Sequence, residues 1–348
     1  MGNTQSYIVA SLSVSSVCLV YVYFYSSHRL LKTNVLTSDT LPSSGYLFIK
    51  HVTKALSRRT GCLYSTNKQS EVIYTVLNCR LETPLLRRFC SAGGYGWDYP
   101  DSEYRDIPLC FPEFLCHRLL RILLTDHNFR LSPAGLIRVR QSLKTHQPVD
   151  ELKKGAFTLQ ARVLVYRKVA AGVEVDICLS AISRSGNPVW ESVLTFLSQN
   201  KLHKASRCSQ PVTENESQID EPVPENMKQV ELRVPWRTSL QCVWSFSDYP
   251  LLFLPARLFG CRLQTAPSIW MLSVCLAEIE KHKGVGVITA PVNITVQFKE
   301  PLLIPGKVTI KFWEMITNEG HPPSRALNFH MQQHRSSTSY IAGVISRS

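Results

Sequence analysis

Residues 267–281, PSIWMLSVCLAEIEK, read as a buried helix, and two stretches of alternating apolar and polar residues follow, VNITVQF at 292–298 and VTIKFW at 308–313. A long apolar run suits a helix covered on several sides, whereas alternation is the period of a strand with one face in the core. The same order occurs once before in the chain. Residues 107–125 (IPLCFPEFLCHRLLRILLT) have the length and leucine content of a buried helix, and strand-like segments follow at 136–143, 157–166, 173–182 and 189–197, the last two joined by the turn RSGNP at 184–188. The best local match between the halves sets Ile137, Arg138, Val139, Arg140 and Gln141 against Ile294, Thr295, Val296, Gln297 and Phe298. The expected architecture is one buried helix wrapped by antiparallel strands, done twice.

A polar segment separates the two units. Rich in Ser, Glu, Asn and Pro, it cannot bury a face of its own. This sets a first module at 28–200, a linker at 201–229 and a second module at 230–348, which begins with strand-like segments at 230–234 and 240–244. Apolar spacing predicts a helix over residues 46–57, with Ser43 or Ser44 as its cap.

Residues 1–27 carry no charged side chain, and 7–25 (YIVASLSVSSVCLVYVYFY) form a mostly apolar run of the length one bilayer crossing requires. This reads as a membrane anchor. Tyr21, Tyr23 and Tyr25 fall where an aromatic belt belongs, and His28, Arg29 and Lys32 follow, which puts the bulk of the chain on the cytosolic side of a single-pass helix. A cleaved signal peptide is the rival reading; against it stand the missing basic leader and the length of the run. The opening MGNTQS also fits the N-myristoylation pattern at Gly2, which conflicts with an N-terminus-out helix.

At 348 residues and 44% hydrophobic, the chain has the composition of packed domains. Its net charge of +13 comes from scattered Lys and Arg rather than one stripe, so no nucleic-acid partner is expected; the charge suits anionic phospholipid or thioester phosphates instead. Eleven cysteines with no C-x-x-C pair read as free buried thiols, with no metal site and no cofactor. No G-x-S-x-G elbow supports a hydrolase triad, and Gly93-Gly94-Tyr95-Gly96 lacks the spacing of a phosphate cradle.

Three segments resemble the MaoC-like family of (R)-specific enoyl-CoA hydratases and 3-hydroxyacyl-thioester dehydratases. Ser245-Phe246-Ser247-Asp248-Tyr249-Pro250, followed by Ala256-Arg257-Leu258-Phe259-Gly260, is similar to the family's S-G-D-x-N-P-x-H segment and downstream A-R-x-F-G. Ala266-Pro267-Ser268-Ile269-Trp270-Met271 resembles its A-H-G-M-W helix start. Val296-Gln297-Phe298-Lys299-Glu300-Pro301 with Leu303-Ile304-Pro305-Gly306 resembles its V-x-F-K-x-P strand and turn. The resemblance implies an α+β double hot dog, two antiparallel sheets each wrapping a long helix, with the first unit non-catalytic. It implies an acyl thioester, coenzyme A- or carrier-bound, or a related lipid-like ligand, and leaves homodimerisation open.

Hydrating an enoyl thioester needs a base for water at C3, an acid for C2 and donors for the enolate-like oxygen. By resemblance, Asp248 stands at the family's catalytic Asp. No histidine follows it, because His203 and His282 bracket a span with none, and the loop is shortened and apolar. Pro267 and Ser268 replace the family's His and Gly at the helix start, yet the N–H groups of Ser268 and Ile269 remain to receive a carbonyl oxygen. Pro267, Ser268, Ile269 and Trp270 are therefore the expected substrate contacts, although Trp270 and Met271 also suit the helix core. His117 reads as an ordinary helix histidine, and Asp126-His127 as charges at a helix end. The expected function is that of a pseudoenzyme that binds thioesters; the alternative is a hydro-lyase in which Asp248 works with a relocated partner, or alone, as a single carboxylate does in some hot-dog thioesterases.

Overall fold

The computed structural model describes residues 21–22, 24–31, 33–65, 71–101, 106–200, 227–236, 238, 264–317, 324–334 and 338–347. Residues 201–226 of the expected 201–229 linker, the expected strand at 240–244, the Asp248 segment (239–263), Gly2 and residues 1–20 and 23 of the expected anchor lie outside the described residues, whereas residues 228 and 229 of the expected linker already belong to a strand. Among the described residues no helix is long and apolar enough to cross a membrane.

Helix α1 (Ser44–Ser57) begins where expected, at Ser43, whose side chain accepts from the Tyr46 N–H. Strands β1 (Val35–Thr37) and β2 (Ile73–Cys79) and helix α2 (Thr83–Ala92) follow. The first apolar run becomes two short helices, α3 (Phe111–Leu115) and α4 (His117–Thr125), rather than one long one. Then come β3 (Leu136–Thr145), β4 (Phe157–Val169), β5 (Gly172–Ile182) and β6 (Pro188–Gln199). The second unit contains β7 (Lys228–Val234), β8 (Gln264–Thr265), α5 (Ser268–Lys283), β9 (Val292–Phe298), β10 (Leu303–Ile304), β11 (Gly306–Thr317), β12 (Ser324–Gln333) and β13 (Ser339–Arg347).

The expected pair of sheets is instead one continuous sheet of eleven strands in the order β1-β2-β4-β5-β6-β3-β9-β13-β12-β11-β7. Its centre is the antiparallel β3–β9 ladder, in which the inner edges of the two units pair with each other rather than face solvent. Outward from it the order β6-β5-β4-β2 on one side mirrors β13-β12-β11-β7 on the other, and the first side adds the short parallel edge strand β1, which has no counterpart in the second. The two segments matched between halves do lie on these two strands. The ladder runs from Arg140–Gln297 to Thr145–Val292, and in it Ile294 stands opposite Leu143, both buried.

Helix α5 is buried without interruption from Trp270 to Glu280. It ends at Gly284, whose φ of 83° lets its N–H return to the Glu280 carbonyl, with Lys281, His282 and Lys283 in the last turn facing the negative end of the helix dipole. Strand residues meet the core every second position: Val292, Ile294 and Val296 on β9, Val308, Ile310 and Phe312 on β11, Leu327, Phe329 and Met331 on β12. In the first unit α1 packs on α4, and the buried Lys54 caps the far end of α4 by donating to the Leu124 and Phe129 carbonyls (both 3.1 Å) and to that of Asp126. That contact satisfies carbonyls that a helix end leaves without intrahelical donors.

Candidate functional site

A cavity of about 320 Å³ lies between α3–α4, strand β3 and the first turn of α5. Its polar wall begins with Glu113 on α3, a single acid inside an otherwise apolar segment. Only 4% of its side chain is exposed, and it is held by Arg138 Nη2 at 2.6 Å from Oε1 and by Gln141 Nε2 at 2.7 Å from Oε2. Both carboxylate oxygens are thus engaged, which is the condition under which a charge persists in a core.

A break in strand β3 makes that arrangement reachable. Arg138 pairs with Phe196 and Arg140 with Thr195, so Val139 is an extra residue, a β-bulge. In an unbroken strand residues 138 and 141 would point to opposite faces. The bulge shifts the alternation by one, and Arg138 and Gln141 arrive on the same side, where Arg138 Nη1 donates to Gln141 Oε1 at 3.2 Å. The guanidinium lies over the rings of Phe196 (5.6 Å) and Phe298 (5.9 Å). Because Phe298 comes from β9, Arg138 ties the first unit to the second.

His117 follows Glu113 by one helical turn on the same face and also lines the cavity. From the second unit come Pro267, Ser268 and Ile269. Pro267 is the N-cap of α5 with an extended backbone, and no side chain caps the helix start. The first intrahelical bond runs from Met271 N–H to the Pro267 carbonyl, so the N–H groups of Ser268 and Ile269 have no partner within the helix. Leu120, Leu124, Leu136 and Phe196 supply an apolar wall.

Three of the four expected contacts therefore come together here and the fourth does not. Trp270 points away into the core, 2% exposed, with its indole N–H donating to the Ala92 carbonyl at 2.8 Å. The glycine segment at 93–96 is part of that packing: a side chain at Gly93 would meet Ser273 Oγ at 2.6 Å, so the glycine lets the end of α2 lie against α5. Asp248 lies outside the described residues. Burial pushes the thiols of Cys110, Cys116 and Cys275 upward, so these cysteines stay protonated and are poor nucleophiles.

No protein-family model matches the chain, and no curated protein matches it by sequence. Solved structures do match. HtdX of Mycobacterium tuberculosis shares 17% identity over 78% of this chain and 98% of its own, with a TM-score of 0.56. A MaoC-like dehydratase from Phytophthora capsici shares 15% over 80% of this chain and 95% of its own, with a TM-score of 0.58. The chain has the double hot-dog fold of the MaoC-like dehydratases. Full-length peroxisomal multifunctional enzyme type 2 from Drosophila melanogaster aligns over 80% of this chain and 48% of its own length, at 15% identity and a TM-score of 0.53. In the hot-dog frame, α5 is the central helix of the second unit and α3–α4 its shortened counterpart in the first.

Sequence reasoning passed over Glu113, Arg138 and Gln141. A usable signal existed for the first: an acid within IPLCFPEFLC must find a partner when its neighbours are buried. For Arg138 and Gln141 no such signal existed, because the alternation of β3 assigns them to opposite faces.

Proposed function

We propose that this double hot dog is a membrane-tethered protein that binds an acyl thioester in the cavity between Arg138 and the start of α5, without hydrating it. The observation that carries this reading is the meeting, in one cavity, of the first-turn N–H groups of Ser268 and Ile269, the guanidinium of Arg138 and an apolar wall. Helix-start N–H groups suit a polarised carbonyl oxygen, and the apolar wall suits an acyl chain. The solved structures that share the fold include dehydratases, which makes a thioester the favoured ligand class. Tethering rests on the charge-free residues 7–25 and the basic residues after them, with the hot dogs on the cytosolic side.

Two features argue against hydration. The segment after Asp248 has no histidine before His282. The carboxylate that lines the cavity, Glu113, has both oxygens engaged by Arg138 and Gln141, which leaves neither of them free to orient a water. One observation favours the second reading, an active hydro-lyase: His117 lines the same cavity and stands as a candidate partner for Asp248.

The purified full-length chain, offered crotonyl-CoA and longer enoyl-CoA, separates the two. Thermal stabilisation without loss of the conjugated thioester is expected. Turnover that disappears in Asp248→Asn or His117→Ala overturns the non-hydrating reading in favour of the hydro-lyase. Absence of stabilisation by every thioester overturns binding itself.

A further inference from the structure

Helix α1 turns one face to the core and another to the outside. Leu47 and Lys54, two helical turns apart, are buried on the side that packs on α4. Ile49 and Leu56, spaced in the same way, point away from it and are 47% and 83% exposed. A single exposed leucine is ordinary; an apolar stripe beside further exposed apolar residues marks a contact surface. Those further residues are Tyr21, Val22 and Tyr25, the last part of the apolar run 7–25. Residues 24–30 are helical and pack on the start of α1, with the Phe24 and Tyr46 rings edge to face at 5.7 Å and the Ser27 hydroxyl donating to that of Ser43 at 3.3 Å. Because Ser27 meets Ser43 and Phe24 meets Tyr46, the two helices run antiparallel. Helix α1 therefore heads back toward Tyr21 and Val22 rather than away from them.

The charge of this region is one-sided. Residues 21–60 hold six Lys or Arg and a single acid, Asp39. Lys54 and Arg58 are turned inward onto backbone carbonyls, whereas Arg29 and Arg59 are exposed and Lys50 is half-buried. We propose that α1 and the helix end before it form a membrane-docking face, which lays the double hot dog against an anionic bilayer. Ile49 and Leu56 enter the boundary between headgroups and acyl chains, and Lys50 and Arg59 meet lipid phosphates. The inference rests on the tether proposed above and adds to it how the folded units lie on the membrane. A bilayer is the occupant that the chain itself brings to this face, since the apolar run that would cross it ends against α1.

The test reconstitutes the full-length chain in vesicles of phosphatidylcholine and phosphatidylserine that carry a phospholipid with a photoreactive diazirine in its acyl chain. After irradiation, peptide mapping locates the lipid adducts. Adducts are expected both within residues 7–25 and on α1 between Ile49 and Leu56. Leaving out phosphatidylserine should lower the α1 adducts at least about fivefold, because each surface cation adds roughly that factor on an anionic membrane. Ile49→Ser combined with Leu56→Ser should lower them about tenfold or more and leave those within 7–25 unchanged. Both side chains lie outside the core, so the melting temperature of this variant should match that of the parent chain. Adducts within 7–25 and none on α1, or α1 adducts indifferent to the double substitution, overturn the docking face while the tether stands. Adducts on α1 and none within 7–25 sink the tether instead, and a chain that takes up no lipid anywhere overturns both.

Discussion

Arg138 Nη2 stands 2.6 Å from Glu113 Oε1, and this one ion pair, 11% and 4% exposed on its two sides, joins strand β3 to helix α3 in the wall of the cavity. Its energetics are those of a buried pair: desolvating each ion costs several kcal/mol, and mutual attraction plus the Gln141 bonds offset that cost. Breaking the pair is therefore worse than deleting it. Arg138→Met alone should destabilise by about 3–5 kcal/mol, because it leaves a buried carboxylate with one donor. Adding Glu113→Gln should recover most of the loss, as read by urea denaturation of the four members of the cycle. A double variant as unstable as Arg138→Met would show that Arg138 acts through packing on Phe196 and Phe298 instead.

Lys54 gives the fold a pH signature. Burial, reinforced by the nearby Arg58, lowers its ammonium to about 7 from a normal 10.5. Between those values the unfolded chain binds the extra proton, so this group makes stability rise as pH climbs from about 7. Buried thiols act in the opposite sense at higher pH. Cys79 and Cys178 are raised to about 11 and Cys90 to about 12, above their unfolded 9.0, so stability falls as pH passes about 9. Chemical-denaturation midpoints across pH 6–10 should show a maximum. In Lys54→Met the rising limb should vanish, alongside a loss of about 1–3 kcal/mol from the uncapped carbonyls; a rising limb that survives assigns it to another group.

Gly343 sits opposite Phe329 in the β12–β13 ladder, and a methyl group there would clash with the Phe329 ring at Cζ and meet the Thr295 carbonyl oxygen at 2.9 Å. The aromatic ring lies across the position that the glycine leaves empty. Gly343→Ala should cost about 1–3 kcal/mol by overpacking. Pairing it with Phe329→Leu should cost less than the two changes added together, a coupling measurable by thermal denaturation.

Among the described cysteines Cys62 is exposed and Cys79, Cys90, Cys110, Cys116, Cys178 and Cys275 are buried. A thiol reagent added to the native chain should modify Cys62 quickly and those six only on unfolding, as peptide mapping of the labelled protein would show. Rapid labelling of Cys275 in native protein would mean that α5 opens locally.

Much of the fold was legible because its signals are local. The run at 267–281 and the alternation at 292–298 are each read from adjacent residues, and the helix over 46–57 carries its own cap at Ser43. Strands β12 and β13 were not drawn from the sequence, although Leu327, Phe329 and Met331 alternate; β12 adjoins polar residues that dilute the pattern. The long first helix was expected unbroken, yet α3 ends at Leu115 and Cys116 separates it from α4. Of the site, the start of α5 was readable, since Pro267 marks a first turn whatever surrounds it. Trp270 was ambiguous from sequence because its own position fits both core and contact; its partner is the Ala92 carbonyl, far away in the chain.

The sequence by itself determined two repeated units, the helix at the heart of the second and the absence of a histidine between Asp248 and His282, all properties of residue order within a short window. Only the tertiary structure decided that the two units share one sheet through β3 and β9, and that Glu113, Arg138, His117 and Ser268 face one cavity. The reason is physical: pairing between strands far apart in the chain, and the one-residue slip at Val139 that turns Arg138 toward Glu113, depend on register, and register is fixed by the packing of both units together.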